Sequence, residues 1–284
     1  MKRVIVFGIV LSMMIVMSFT TYSANNTIQM EIEPARFELL VSPGRASTGA
    51  IIVKNTGDQP MLVSTVTCNW DMNEAGESTF DIQEPKNDSC AGWLTFNPRK
   101  FRVEAGKQQI VRFGVTPPLN CKIGEYHGAI QFQTQPVITD QNSTLSMGNV
   151  MVTMYTALPG VQRSGRVVSG QATYFPQQKV INSALEVESL GTAHIRFTGI
   201  FVVRNSSGQY VGEGTYVGNV VFPGKKRILQ GYSQLDLAPG KYTVESILKF
   251  ESPLYTSQNK LLSEYLDGQT QLDFQAEFVV NKGD

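Results

Sequence analysis

Short segments in which apolar and polar residues alternate recur along most of this chain. Such period-two alternation is typical of β-strands that bury one face. Turns rich in Gly, Pro and Asn separate the segments, as at 42–44, 55–58 and 116–118. No window shows a long 3.6-residue period with helix caps, and a parallel α/β fold would need helices for its crossovers. The pattern therefore predicts an all-β protein.

The predicted strands fall into two groups separated by a polar, Gly-containing segment at 161–170. Short strands at close spacing favour β-sandwiches. We predict two immunoglobulin-like β-sandwich domains in tandem, over 25–160 and 161–284. The strands of the first group are 28–32, 37–41, 50–54, 61–67, 79–82, 93–96, 101–103, 109–115, 126–134 and 150–158. Those of the second are 172–175, 180–187, 193–204, 209–217, 226–237, 241–250 and 272–280.

The N-terminal residues 1–24 have the layout of a secretory signal peptide. Lys2 and Arg3 precede an apolar run at 4–19, which is short for a membrane span. Cleavage is expected after Ser23 or Ala24, and an uncleaved N-terminal anchor is the alternative. No later segment is long and apolar enough to span a membrane. We therefore expect an exported protein, in which disulfides can persist.

A strong local pattern lies between residues 93 and 115. Two alternating runs, 101–103 and 109–115, flank a Gly-bearing turn at 104–107. This spacing predicts a β-hairpin within a larger sheet.

The predicted hairpin helps to choose among possible pairings of the three cysteines. Cys90 and Cys121 lie at equal distances from the centre of its turn, between Ala105 and Gly106. Equal offsets bring the two flanks to the same end of an antiparallel ladder. We therefore expect a Cys90–Cys121 disulfide, with Cys68 free or paired with another molecule.

The supply of catalytic and ligand-binding groups is thin. Without Lys2 and Arg3 the chain has 22 basic and 24 acidic residues, which gives no electrostatic footprint for nucleic acid. The chain has no GxSxG, HExxH or phosphate-loop motif and no CxxC, and its two histidines lie far apart in sequence. We expect no enzyme, no cofactor and no metal site. Glu125 and His127 are interpreted as a solvated or edge pair, and 71–76 as a turn between strands rather than a calcium loop.

The last predicted strand of the first domain is apolar on both faces. Such a strand is either central and covered on both sides or an edge that offers itself to a partner by strand addition. One face carries Val150, Val152 and Met154, and the other carries Met151 and Tyr155, with Leu145 and Met147 extending that side.

Five blocks follow one another in order over 32–160. They are PARF at 34–37, AIIVKNTGDQP at 50–60, Trp70 with Gly76, FNPRKFRV at 96–103 continuing to Arg112, and GEYH at 124–127 with Ile130 and Phe132. In this order the blocks resemble the N-terminal domain of the PapD-like periplasmic chaperones of chaperone–usher pilus systems. The second domain is similar to that family only as another sandwich.

The resemblance implies a mode of action and the residues that carry it. These chaperones lend a strand near the end of their first domain to an incomplete pilus subunit. Residues 145–158 would be this strand, with Leu145, Met147, Met151 and Tyr155 as contacts, and Arg36 would anchor the terminal carboxylate of the subunit. The implied partners are pilin-like subunits and, as an open question, an outer-membrane usher.

The chain departs from the family pattern at one position. Many members pair the anchoring arginine with a lysine, whose place here falls at Met154. A second interpretation therefore stays open, in which the chain is a cell-surface or secreted structural or adhesive protein without a client. A secreted enzyme is the least favoured class.

Overall fold

The structure, a computed structural model, describes residues 29–136, 148–218, 220–251 and 270–281. The predicted signal peptide and the predicted contacts Leu145 and Met147 lie outside these ranges. Within them the chain forms eighteen β-strands and one short 3-10 helix, Ala91–Trp93. No helix in this part of the chain is long and apolar enough to cross a membrane. The predicted all-β class is confirmed.

The first ten strands build one sandwich from two sheets. In chain order they are β1 (Met30–Glu33), β2 (Arg36–Leu40), β3 (Ser47–Asn55), β4 (Met61–Met72), β5 (Ser78–Asp81), β6 (Leu94–Asn97), β7 (Lys100–Val103), β8 (Gln108–Val115), β9 (Glu125–Pro136) and β10 (Asn149–Ala157). One sheet has the order β1-β3-β8-β6. The other has the order β2-β10-β9-β4-β5, with β7 also paired to β4.

Alternate residues of these strands form the core between the two sheets. Ile51 and Val111 enter it from the first sheet, and Ile130 and Phe132 enter it from the second, all with no exposed surface. Each such side chain contributes roughly 1.5–3 kcal/mol relative to its exposed state. The period-two pattern of the sequence therefore identifies the buried face of each strand.

In the predicted hairpin at 93–115, the outer run at 94–97 does pair antiparallel with 112–115, but the pairing of 101–103 with 109–115 is wrong. β7 pairs with β4, whereas β8 pairs with β3 and β6, so the turn after Val103 connects strands of opposite sheets. Asn55 holds this turn in place, since its backbone bonds to Gly106 and Lys107 and its side chain donates to the Val103 carbonyl at 3.1 Å. Alternation shows which face of a strand is buried, but it does not show which strand is the neighbour.

The expected Cys90–Cys121 disulfide is also wrong, because all three cysteines are free thiols. The ladder between β6 and β8 begins at Leu94, and Cys90 lies beyond it under β9, where its backbone N–H donates to the His127 carbonyl. Cys121 lies instead in the connection between β8 and β9 and is partly exposed. The β6–β8 ladder is centred between Glu104 and Ala105 and ends at the Leu94–Val115 pair, so it does not bring the two cysteines opposite each other.

The second sandwich is built by the eight remaining strands. They are β11 (Gly165–Phe175), β12 (Val180–Ser189), β13 (Ile195–Asn205), β14 (Tyr210–Val217), β15 (Val220–Val221), β16 (Lys226–Gln234), β17 (Gly240–Phe250) and β18 (Gln271–Val280). Their order is β11-β12-β16-β14-β13-β17-β18, with β15 on β13, and the sheet curls so that β11 lies against β18. The chain is thus two immunoglobulin-like β-sandwiches in tandem.

We expect a single reactive thiol in the native protein. Burial raises the pKa of Cys68 to about 11 and that of Cys90 to about 12, so neither forms the nucleophilic thiolate near neutral pH. A colorimetric disulfide reagent should therefore modify Cys121 in the folded chain and all three cysteines after denaturation. A native protein with no reactive thiol until a reductant is added would contradict this structure.

Candidate functional site

Strand β10 is covered on one side along its whole length but on the other side along only part of it. β9 pairs with all its residues from Asn149 to Ala157. β2 runs parallel to it and pairs only from Thr153 onward. Residues 149–152 therefore have no second neighbouring strand within the described residues, and we call them the free half-edge.

In the free half-edge, the backbone N–H and C=O groups of two residues point toward the uncovered side. The N–H of Thr153 donates to the Ala35 carbonyl at 3.1 Å, on the β2 side. In a strand, successive residues direct their backbone groups to opposite sides, so those of Asn149 and Met151 point the same way as those of Thr153. These N–H and C=O groups are available to a strand added beside β10.

The side chains of β10 divide as the sequence pattern predicts. Val152 and Met154 are fully buried in the core of the first sandwich, and Val150 packs against that core. Met151 is half-buried on the opposite face. Met154 occupies the place where the family resemblance would put a lysine, and a core position without solvent access does not suit an unpaired ammonium group. The strand is central over its second half and an edge over its first.

Arg36 lies where the free half-edge ends, in register with Thr153. Its Nε atom is 3.1 Å from Oε1 of Glu38, and its side chain is 36% exposed. Arg196 of the second sandwich donates from Nη2 to the same oxygen, also at 3.1 Å. One buried carboxylate is thus shared by two guanidinium groups, and Arg36 already has an internal anionic partner.

Tyr155, the other predicted contact on β10, lies between the two sandwiches. Its side chain is 3% exposed, and its ring is 4.9 Å from that of Trp70 and 4.6 Å from that of His194. We call this apolar contact the interdomain seam. Its buried members are Cys68, Trp70, Ala129, Tyr155, Val220 and Phe222. Tyr155 is engaged inside the protein, and its role in binding a partner stays a prediction.

A buried carboxylate lies beside the seam. Glu125 has no exposed side-chain surface and lies 2.7 Å from His127 Nε2 and 2.8 Å from His194 Nδ1. The backbone N–H of His194 also donates to it, at 3.2 Å. The interpretation of Glu125 and His127 as a solvated pair is therefore wrong, because the second sandwich covers both and supplies a third member.

The two imidazoles keep Glu125 ionised. Burial alone would raise its pKa, but the charge of His194 and hydrogen bonds from both rings outweigh burial, and the pKa lies well below its usual range. A lowered carboxyl pKa contributes stability that is present above the ordinary pKa and is lost only as the pH falls through the lowered value. The Glu125 carboxylate thus accepts hydrogen bonds from both sandwiches and is closed to solvent.

A second contact between the sandwiches is made by the turn after β4. Arg227 of β16 donates to the sulfur of Met72 at 3.3 Å and to the Val220 carbonyl at 2.7 Å. Its guanidinium lies against Gly76 and Gly218, where an added Cβ would come within 2.1 Å and 2.6 Å of Nη2. Burial lowers the pKa of Arg227. We call this arrangement the arginine clamp.

The segment 71–76, which was compared above with a calcium loop, belongs to the same turn. Asp71 pairs with Lys225 at 3.2 Å, and the Glu74 carbonyl accepts from the N–H of Ile228 at 2.9 Å. No group of three or more His, Cys, Asp or Glu residues within the described ranges is arranged to hold a metal ion. The turn binds the second sandwich.

The residues that the second sandwich brings to the contact between domains were not apparent from the sequence. His194, Arg196 and Phe222 belong to no motif, and Glu125 lies 69 positions before His194. The rarity of histidine in this chain is a signal that could have drawn attention to His194, but not to the other residues.

No family model and no curated protein matches this chain. Among solved structures, the chain is similar to one of a chaperone–tip adhesin complex of CFA/I fimbriae biogenesis, with a TM-score of 0.47 and 11% identity over 87% of this chain and 98% of that one. It is similar to the E. coli chaperone DraB, with a TM-score of 0.42 and 12% identity over 87% and 96%. It is also similar to a CsuC–CsuE complex from Acinetobacter baumannii, with a TM-score of 0.39 and 11% identity over 70% and 89%. These likenesses concern the overall fold.

We expect Gly76→Ala to weaken the arginine clamp. Gly76 has φ +86°, and its new Cβ would meet the Arg227 guanidinium. The left-handed backbone costs about 1–2 kcal/mol for alanine. Moving the guanidinium away from the Val220 carbonyl and the Met72 sulfur adds about 0.5–1.5 kcal/mol. Gly106→Ala is the matched control, since Gly106 has φ +67° with open space around it. Denaturant unfolding should show the larger loss for Gly76→Ala, and equal losses would contradict the clamp.

Proposed function

We propose that this protein is a periplasmic chaperone that binds pilus- or fimbrial-type subunits by donating the free half-edge of β10. The observation that carries the proposal is the uncovered backbone at residues 149–152. Strand addition takes its affinity from main-chain hydrogen bonds and its specificity from alternate side chains. The free half-edge offers uncovered main-chain groups and, on its outer face, the half-buried side chain of Met151.

The composition of the free half-edge supports a partner. Exposed edge strands are normally protected by charged residues, proline or bulges, because their unpaired groups invite aggregation. The sequence Asn149-Val150-Met151-Val152 contains none of these protections. An edge of this kind is best explained by a strand that covers it in use.

Arg36 is proposed as the residue that fixes the end of the bound partner. It lies beside the last uncovered position of β10 and keeps 36% of its side chain exposed. A carboxylate of the partner can form a charge-assisted hydrogen bond with it. Glu38 already holds one face of the guanidinium, so the partner would share Arg36 rather than meet an isolated cation.

Localisation and the remaining site residues belong to the same proposal. We propose that residues 1–24 direct export, that the mature domains are 25–160 and 161–284, and that Leu145 and Met147 extend the donated strand. Fimbrial subunits are the proposed clients, and an usher is a further partner to test. Labelling of intact cells distinguishes this proposal from a cell-surface structural protein, because a periplasmic chaperone is protected from an impermeant reagent.

We expect Met151→Pro to weaken strand donation without unfolding the sandwich. Proline removes the N–H that points to the uncovered side, while the ladder with β9 keeps its bonds. Loss of one hydrogen bond with the accompanying clash should weaken client binding by about tenfold or more, equal to about 1.4 kcal/mol. Co-purification of fimbrial subunits from periplasm, quantified by mass spectrometry, measures the effect.

Met151→Leu is the matched control, since it keeps the N–H group and the apolar side chain. Its recovery of subunits should equal that of the parent. The proposal is overturned if both variants recover subunits equally well, or if the parent recovers none.

A further inference from the structure

A row of charged side chains connects the free half-edge to the second sandwich. Arg36 and Glu38 lie two residues apart on β2, so their side chains point to the same face of the sheet. They are in register with Thr153 and Tyr155 of β10. Nε of Arg36 is 3.1 Å from Oε1 of Glu38, and Nη2 of Arg196 donates to the same oxygen at 3.1 Å. The second sandwich therefore contacts Arg36 through one shared carboxylate.

Arg196 is held firmly by its own surroundings. Its backbone pairs with Val220 of β15, and its carbonyl accepts from the N–H of Glu251 at 2.7 Å. Its guanidinium lies 5.5 Å from the centre of the Tyr155 ring, and 10% of its side chain is exposed. Packing over an aromatic ring and a charge-assisted hydrogen bond both restrict a guanidinium group. Arg196 thus presents a positive charge to Glu38 at a fixed position.

The charge of Glu38 is divided between two cations. Its side chain is 1% exposed, so water screens its interactions only weakly. If Arg36 were its partner alone, the carboxylate would cancel the charge of that guanidinium. Arg196 brings a second positive charge to the same oxygen, and the three side chains together carry one net positive charge. Arg36 is the exposed member of this set, with 36% of its side chain open to solvent.

The contact with Glu38 also orients the guanidinium of Arg36. Nε carries one of the five N–H donors of an arginine side chain, and the two terminal nitrogens carry the other four. Because Nε faces Glu38, a second carboxylate can approach the edge formed by the terminal nitrogens. That edge suits the paired, planar hydrogen bonds that arginine makes with carboxylates.

We propose that Arg196, acting through Glu38, is a positioning residue for the carboxylate of the bound partner. It leaves Arg36 with an uncancelled positive charge and a fixed orientation beside the last uncovered position of β10. The ligand chemistry is a carboxylate at the end of an extended peptide segment. This inference rests on the proposed strand donation, and it gives the second sandwich a part in binding.

Two synthetic peptides test this inference with the full mature chain. Both carry the C-terminal segment of the fimbrial subunit that the parent recovers from periplasm, one as the free acid and the other as the C-terminal amide. The parent should bind the acid about tenfold more tightly than the amide, because the amide cannot form the charge-assisted hydrogen bond. Arg36→Gln should lower this ratio to about one. Fluorescence anisotropy of labelled peptides measures both affinities.

Arg196→Gln should lower the ratio of acid to amide affinity to about twofold, because Glu38 then cancels the charge of Arg36. Its affinity for the amide should equal that of the parent, since the amide needs only the free half-edge. Arg196→Lys keeps the positive charge and should retain most of the ratio. Arg227→Gln is the matched control, because it removes another arginine from the contact between domains, one whose bonds are to Met72 and Val220. Its ratio should equal that of the parent.

The outcomes separate this inference from the proposed function. An unchanged ratio in Arg196→Gln, with the ratio lost in Arg36→Gln, overturns the inference and leaves strand donation intact. An equal fall in Arg227→Gln also overturns it, because loosening of the domain contact would then be the cause. The same holds if Arg196→Gln loses affinity for the amide, since its role would then be structural. A parent that recovers no subunit or binds neither peptide overturns the proposed function and this inference together.

Discussion

The burial of the Glu125 carboxylate is the constraint on which the arrangement of the two sandwiches depends. A charge without solvent must be paired and hydrogen-bonded, or the group becomes neutral. The first sandwich provides only His127 as a side-chain partner, and the second provides both the ring and the backbone N–H of His194. The carboxylate is therefore satisfied only when the sandwiches meet in one orientation, which also seats Phe222 on His127.

The same logic applies along the rest of the contact. Arg196 crosses from the second sandwich to Glu38 of the first, and Arg227 fits between Gly76 and Gly218, where any larger residue would collide with it. The polar groups determine the relative orientation of the two sandwiches, because each hydrogen bond or ion pair allows few positions of its partner. The apolar seam adds buried surface, but apolar contacts are not directional and would tolerate small shifts of one sandwich against the other. The two sandwiches thus meet through a small number of directional bonds around an aromatic centre.

The sequence is sufficient to predict the strands and their buried faces, but it does not predict which strands are neighbours in a sheet. Alternation at Val150, Val152 and Met154 correctly places these side chains in the core, because period two is a local property of the backbone. Within 93–115, the pairing of 101–103 with 109–115 failed because Asn55, which lies far away in the chain, holds the turn between two sheets. The Cys90–Cys121 pairing failed with it. The Glu125–His194 contact had no local signal at all, since charge burial is decided by tertiary packing.

Strand β10 links the proposed binding edge to the domain contact. Met151 lies at the free half-edge and Tyr155 lies in the seam, on the same face of the strand. Four residues of strand span roughly 13 Å at about 3.3 Å per residue. β9 and β2 hold the second half of β10 by ladders on both sides, so the seam end is fixed while the other end stays open to addition. A strand anchored at one end in this way presents its free backbone without the entropy cost of ordering it first.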